Sequence, residues 1–207
     1  MNSAPCLQLF ARVPVPGKVK TRLIPALGAE GACALHEQLL ADRLALLRDC
    51  EQELGMASEL WVDTAERHPL LNQVEFPVHV QQGETLGERM YHAMDTAVRL
   101  GARRQVLLIG SDCPALDVDC IEQALERLRG GCQVVIVPAL DGGYVLIGLA
   151  PRVIADFSDL FRDIPWGSAE VLAETMHRVT EAGLACALLP ALPDIDRPED
   201  LQHLQTG

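Results

Sequence analysis

A doubly wound, three-layer, Rossmann-like α/β fold with a mainly parallel sheet and one antiparallel strand is what this sequence predicts. Three observations carry the prediction. Short apolar runs alternate with amphipathic helical segments along the whole chain, the pattern of successive strand–helix–strand crossovers. The run Val106 to Gly110, VLLIG, is apolar at consecutive positions rather than alternate ones, as in strands covered on both faces. Around Gly142-Gly143 two runs are joined too tightly for a parallel crossover, so one of that pair runs antiparallel.

The elements follow in order. Cys6 to Ala11 is a strand, and Arg12 to Ala26 is a loop punctuated by Pro14, Pro16, Gly17 and Pro25. A long helix runs from Glu30 to Glu53, with Leu40, Leu44 and Leu47 on one stripe. Glu59 to Val62 and Val78 to Gln81 are strands. Leu86 to Leu100 is helical, with Leu86, Met90, Met94 and Ala97 aligned. The strand Val106 to Ile109 comes next, then a helix capped by Asp117 with the stripe Ile121, Leu125 and Leu128. Val134 to Val137 and Tyr144 to Ile147 flank the glycine pair. Ser168 caps a helix with Leu172, Met176 and Val179 aligned, Leu184 to Leu189 is the last strand, and a short helix begins near Pro198.

The 207 residues are read as one domain, 1–207. A hydrophobic fraction of 49% supplies an ordinary core. No apolar stretch reaches the roughly 18 residues of a membrane helix, and the first residues lack the basic flank of a signal peptide. Seven scattered cysteines without C-x-x-C spacing suit free thiols in a reducing compartment. A cytoplasmic protein without membrane insertion is expected. The net charge of −12 argues against a nucleic-acid polymer as partner. Oligomeric state is not encoded in any pattern of this kind.

The charge is unevenly spread. No acid precedes Glu30, whereas Arg12, Lys18, Lys20 and Arg22 crowd into eleven residues. A basic segment on an acidic protein points to a small anionic ligand held at one place; a solvated loop is the plain alternative. The segment is not a P-loop, because Arg12 and Val19 stand where G-x-x-x-x-G-K-[ST] needs Gly and Ser or Thr.

In open α/β sheets ligands bind beyond the carboxyl ends of the strands, which is where Arg12 to Arg22 and Asp112 fall. Asp112 is a suitable ligand for Mg²⁺, which takes one or two carboxylates plus substrate phosphates; capping of the next turn is its alternative. Cys113 reads as a small buried side chain rather than a nucleophile. Asp141-Gly142-Gly143-Tyr144 is both a hairpin turn and a place where backbone can approach a ligand closely. Trp166-Gly167-Ser168 leads into a helix whose N-terminus attracts anions, with capping as the equal competitor. Glu199 and Asp200 fit the first turn of the last helix. That role leaves Asp194 and Asp196 unexplained, and either can meet Asp112 to form a metal pair.

The segments Phe10 to Leu23, Gly83 to Met90, Gly110 to Pro114, Asp141 to Tyr144, Ile164 to Ser168 and Asp194 to Leu201 together resemble an uncharacterised bacterial transferase family, labelled glycosyltransferase-A-type or selenodomain-associated transferase. The match runs in order over nearly the whole chain. The resemblance implies the nucleotide-diphospho-sugar transferase fold, shared with guanylyltransferases of molybdopterin and phospholactate and cytidylyltransferases of sugar acids. In those relatives the first loop wraps nucleotide phosphates, an Asp after the fourth strand binds Mg²⁺, and a late Asp completes the metal site. By position these are Arg12 to Arg22, Asp112 and Asp196. Here prolines replace the relatives' glycine-rich loop, and Arg197 stands where Thr is common.

The expected function is a Mg²⁺-dependent transferase that binds a nucleoside triphosphate or nucleotide-sugar and passes a nucleotidyl or glycosyl group to a small acceptor. Lys20 and Asp112 are the expected catalytic residues. Ala11, Arg12, Gly17, Lys18, Lys20, Arg22, Gly87 and Arg89 are expected at the nucleotide. Asp141, Gly142, Gly143, Tyr144, Trp166 and Ser168 are expected at the other substrate, and Asp112 and Asp196 at the metal. The competing class is a nucleotide-sensing module without turnover.

Overall fold

A computed structural model describes residues 4–100, 104–150 and 157–205. Seven strands form one sheet: β1 (Cys6–Ala11), β2 (Ala57–Val62), β3 (Val78–Val80), β4 (Val106–Gly110), β5 (Val134–Pro138), β6 (Tyr144–Leu149) and β7 (Cys186–Leu188). Their order is β3-β2-β1-β4-β6-β5-β7. β6 runs antiparallel to both its neighbours, and every other pairing is parallel. The expected single antiparallel strand is therefore β6, and β6 begins at the sheet edge where β1 and β4 end.

Consecutive apolar residues in the strands send side chains to opposite faces. Leu7 and Leu9 of β1, with Leu107 and Ile109 of β4, pack against α1 (Ile24–Leu54) and α3 (Val118–Arg129), which contribute Leu40, Leu44, Leu47, Ile121, Leu125 and Leu128. Cys6, Phe10, Val106 and Leu108 face the other way. They meet Met90, Met94 and Ala97 of α2 (Leu86–Arg99) and Val179 of α4 (Val171–Glu181). This is the doubly wound arrangement, with a helical layer on each face of the sheet.

Helix boundaries differ from the sequence reading at two points. The first long helix begins at Ile24 after a 3₁₀ turn, Thr21–Leu23, rather than at Glu30. Pro25 is not loop punctuation there. It occupies the first turn, where its missing N–H is not needed, and the break comes at Gly28 with φ 71°. Ser168 also does not cap α4. The helix starts three residues later, and the Ser168 hydroxyl accepts the Glu170 N–H at 3.2 Å within a preceding turn. The helix N-terminus therefore lies beyond Ser168. Two other caps are formed, of which Asp117 is the one the sequence predicts. Thr85 and Glu88 form a reciprocal capping box on α2, and Asp117 accepts the Cys120 N–H at 2.8 Å on α3.

Candidate active site at the carboxyl edge of the sheet

The first loop leaves β1 at Ala11 and folds back on itself. The Val13 N–H donates to the Asp63 carboxylate at 2.8 Å, and the Lys18 N–H donates to the Val15 carbonyl at 2.9 Å. Val13 and Val19 are buried, which turns the charged residues between and after them toward the edge. Arg12 donates to the Lys18 carbonyl at 3.1 Å, and Lys18 reaches Glu66 at 3.4 Å on the surface. Gly17 turns the loop with φ 80°.

Lys20 ends the loop in the left-handed region, φ 46° and ψ 42°, a conformation that costs a non-glycine residue of order 1 kcal/mol and concentrates at functional sites. Its ammonium is buried. It lies 2.8 Å from the Asp112 carboxylate and donates to the Ile195 carbonyl. The same carboxylate accepts the Ser111 hydroxyl at 2.9 Å, and the Ile195 N–H donates to the Asp112 carbonyl at 2.8 Å. Arg22, two residues on, pairs with Asp196. Three segments distant in sequence are thus joined: the basic loop, the exit of β4 and the segment after β7. The Asp200 carboxylate fixes the last of these by accepting the Asp196 and Arg197 N–H groups at 3.0 and 2.7 Å.

The exit of β4 has its own support. Buried Arg43 of α1 donates to the Pro114 carbonyl at 3.2 Å and to the Leu116 carbonyl. Pro114 has no N–H to satisfy, and its carbonyl serves to anchor the turn that carries Asp112. Cys113 is buried, and burial pushes its thiol up to about 11, which leaves it protonated and poorly nucleophilic. Buried His36, one turn of helix before Leu40, bonds the Arg12 carbonyl through Nε2 at 2.9 Å. Burial holds its imidazole below the ordinary histidine range. Neither His36 nor Arg43 was singled out as functional from sequence. The signal was there: both lie on the buried stripe that also holds Leu40 and Leu47, where a polar residue needs a specific partner.

Asp194 lies at the same edge. Burial, then the nearby charge of Asp141, then that of Asp112, raise its carboxyl to about 6. Asp141 accepts the Gly143 N–H at 2.9 Å and so closes the turn before β6. Gly142 has φ 94°, and a Cβ there would sit 2.2 Å from the Ala169 carbonyl oxygen.

Two adjoining cavities open here. The first, about 220 Å³, lies under Phe10, Met90, Leu108, Tyr144, Val145 and Trp166. The second, about 340 Å³, is bordered by Arg22, Asp194, Arg197 and Asp200. Asp141, Gly167 and Ser168 line both. Trp166 also separates the first from a third cavity of about 550 Å³ that reaches Gly87. A Cβ on Gly87 would stand 2.3 Å from the Phe161 carbonyl oxygen and 2.9 Å from Trp166 Nε1, so the glycine admits the indole.

The structure therefore gathers Lys20, Arg22, Asp112 and Asp196 at one edge, and Asp141, Gly143, Tyr144, Trp166 and Ser168 along the adjoining cavities. Gly142 packs against Ala169 instead of lining either. Arg89 donates to the Gly83 carbonyl at 3.0 Å, ahead of α2. Asp112 and Asp196 each carry a cationic partner, and among the described residues no group of three or more His, Cys, Asp or Glu is arranged to hold a metal ion.

Comparison with known proteins adds the lineage. A crystal structure from Desulfovibrio desulfuricans G20, provisionally named a nucleotide-diphospho-sugar transferase, is 32% identical over 100% of this chain and 87% of that one, with a TM-score of 0.87. CMP:2-keto-3-deoxy-manno-octonic acid synthetase complexed with CTP has a TM-score of 0.59 at 12% identity, over 98% of this chain and 97% of that one. 4-Diphosphocytidyl-2C-methyl-D-erythritol synthase has a TM-score of 0.63 at 11% identity, over 99% and 97%. At such identities the last two show the fold, which is that of the nucleotide-diphospho-sugar transferases. No curated protein matches by sequence. A family model described as "Uncharacterized protein conserved in bacteria (DUF2064)" matches residues 43–168, and the chain belongs to that family.

Proposed function

We propose that this protein is a cytoplasmic, Mg²⁺-dependent transferase that binds a nucleoside triphosphate or nucleotide-sugar and passes a nucleotidyl or glycosyl group to a small acceptor. The observation that carries the reading is Lys20. A buried ammonium, held in a strained backbone conformation between Asp112 and the Ile195 carbonyl, stands at the strand ends where such folds bind ligands. Arg22 stands beside it, half-exposed, on the wall of the charged cavity.

Lys20 and Arg22 bind and orient the phosphates by charge-assisted hydrogen bonds, and Arg12 and Lys18 add to the field at the entrance. Asp112, Asp194 and Asp196 supply carboxylates of the kind a divalent cation takes, with Asp112 and Asp196 now paired to Lys20 and Arg22. Asp112 and Asp196 would hold it, with Asp194 as the rival second ligand. Burial first, then repulsion from Asp141 and Asp112, raises Asp194, and a cation would relieve the repulsive part. Mg²⁺ needs only one or two carboxylates where phosphates and water complete its shell. When bound, it would offset phosphate charge during transfer. Neither transfer requires a covalent enzyme intermediate, since positioning and charge neutralisation supply most of the rate. The number of cations in the first loop favours a triphosphate. The name of the 32% identical relative favours a nucleotide-sugar.

Thermal-shift measurements with the four common nucleoside triphosphates and with nucleotide-sugars, each with and without Mg²⁺, test this reading. A Mg²⁺-dependent rise in midpoint that is lost in Lys20→Ala and Arg22→Ala, followed by release of pyrophosphate or a nucleotide on adding acceptor, is expected. Binding without turnover across an acceptor panel would instead favour a sensing module. No shift with any ligand would overturn both.

A further inference from the structure

We propose that the acceptor carries a flat apolar ring, the size of one aromatic ring with a short substituent, joined to the hydroxyl or phosphate that receives the transferred group. The inference rests on the transferase reading above and names its acceptor class. It comes from the contrast between the two cavities that share Asp141, Gly167 and Ser168 as a wall.

The cavity of about 220 Å³ has apolar side chains from five elements: Phe10 of β1, Leu108 of β4, Val145 of β6, Met90 of α2 and Val171 of α4, closed by Tyr144 and Trp166. Its side-chain polar groups beyond Tyr144 and Trp166 are Asp141 and Ser168, and both lie on the wall shared with the charged cavity. A ligand filling both is therefore apolar at one end and polar or charged at the other. An apolar cavity of about 150 Å³ accepts benzene, so this one holds a ring with a few further atoms and has no room for a long acyl chain.

Such walls favour an apolar ring over a free sugar, because six of the lining side chains are purely hydrocarbon or thioether: Phe10, Leu86, Met90, Leu108, Val145 and Val171. Each buried hydroxyl needs a partner, and one without it costs about 1–3 kcal/mol. The walls offer Asp141 and Ser168 on the shared boundary, with the Tyr144 hydroxyl, Trp166 Nε1 and the backbone at Gly110 and Gly143 set among apolar side chains. The aromatic residues are arranged for a ring. Tyr144 and Trp166 meet edge to face, with centroids 6.2 Å apart and planes at 80°, which leaves ring surface for offset or edge contact with a third ring. Gly87 fixes the indole by letting it approach the α2 backbone.

The boundary sets the direction of reaction. The acceptor oxygen forms a bond to phosphorus or to the anomeric carbon. The bond to the departing pyrophosphate or nucleoside diphosphate breaks with its electron pair. The acceptor's hydroxyl proton, where there is one, passes to the Asp141 carboxylate.

Saturation-transfer NMR on the full chain, without nucleotide, tests the acceptor class with benzyl alcohol and phenyl phosphate against glucose. The control variant is Leu86→Asp. Leu86 lines the cavity but is exposed and stands first in α2, where an acid suits the helix dipole, so the fold is kept. Ring-proton saturation for both aryl probes, none for glucose, and at least a fivefold loss in Leu86→Asp is expected. Absence of ring saturation, equal saturation in the variant, or comparable binding of glucose would overturn the inference. Because the probes carry no nucleotide, this outcome is separate from the nucleotide thermal shift. A normal Mg²⁺-dependent shift with no aryl binding removes the acceptor class and leaves the transferase reading standing.

Discussion

The Lys20 ammonium and the Asp112 carboxylate lie 2.8 Å apart, yet the lysine side chain is 3% exposed and the aspartate 43%. The pair is asymmetric in what each partner falls back on. Without Lys20, Asp112 still faces water. Without the Asp112 charge, the ammonium keeps the Ile195 carbonyl but loses its counter-ion. Asp112→Asn is therefore expected to cost more stability, about 2–4 kcal/mol, than Lys20→Met, about 1–2 kcal/mol. Urea unfolding of both variants checks the order, and a reversed order contradicts the burial argument.

Arg43 offers a second test. Its fork spans the Pro114 and Leu116 carbonyls, and a lysine cannot reach both with the same planar geometry. Arg43→Lys and Arg43→Leu should each lose roughly 2–4 kcal/mol, with little rescue by the conserved charge. Full stability of Arg43→Lys would show that the charge alone matters.

Asp194 predicts a pH dependence. Its carboxyl is raised to about 6 by burial and by Asp141 and Asp112. A carboxyl whose native pKa exceeds the unfolded one favours the folded state when protonated. That contribution is complete below about pH 4 and is lost as the pH rises through about 6. Asp194→Asn should match the parent near pH 4 and be more stable by about 1 kcal/mol at pH 8, a figure reduced for solvent screening of a half-buried group. Denaturant midpoints across that range would show the divergence; a constant difference would rule out titration of Asp194 as its source.

The two turn glycines should behave differently. Gly142→Ala places a methyl 2.2 Å from the Ala169 carbonyl oxygen at φ 94°, whereas a Cβ on Gly143 meets nothing nearer than 3.2 Å. The first should lower the melting midpoint by roughly 4–8 °C, corresponding to about 2 kcal/mol in a chain of this size. The second should lower it by about a quarter as much or less. Calorimetry of both variants settles the comparison.

Much of the fold was readable before the structure. Runs such as VLLIG named the buried strands, and the tight joint at Gly142-Gly143 required the antiparallel strand that became β6. The start of α1 was not readable, because Pro25 gives the same local signal in a loop and in a first helical turn. Ser168 was misplaced for a related reason, since a hydroxyl that closes a turn and one that caps a helix make the same kind of bond. At the site, the crowding of cations and the exit of β4 were visible in the spacing. The pairing of Lys20 with Asp112 and of Arg22 with Asp196 was not, because it depends on how three distant segments meet. The apolar cavity was hidden for the same reason: Phe10, Met90 and Leu108 look like any other core residues until Trp166 closes over them.

The alternation of side chains along β1 and β4 has an evolutionary consequence. Phe10 and Leu108 shape the cavity wall, while their neighbours Leu9 and Ile109 point through the sheet into the layer below α1, whose His36 and Arg43 anchor the basic loop and the β4 exit. The sheet works as a bulkhead between the two. Mutations that retune what the cavity admits need not disturb the scaffold that presents Lys20 and Asp112. A lineage built this way is free to reshape the cavity by ordinary drift on one side while the edge that carries Lys20 and Asp112 stays intact.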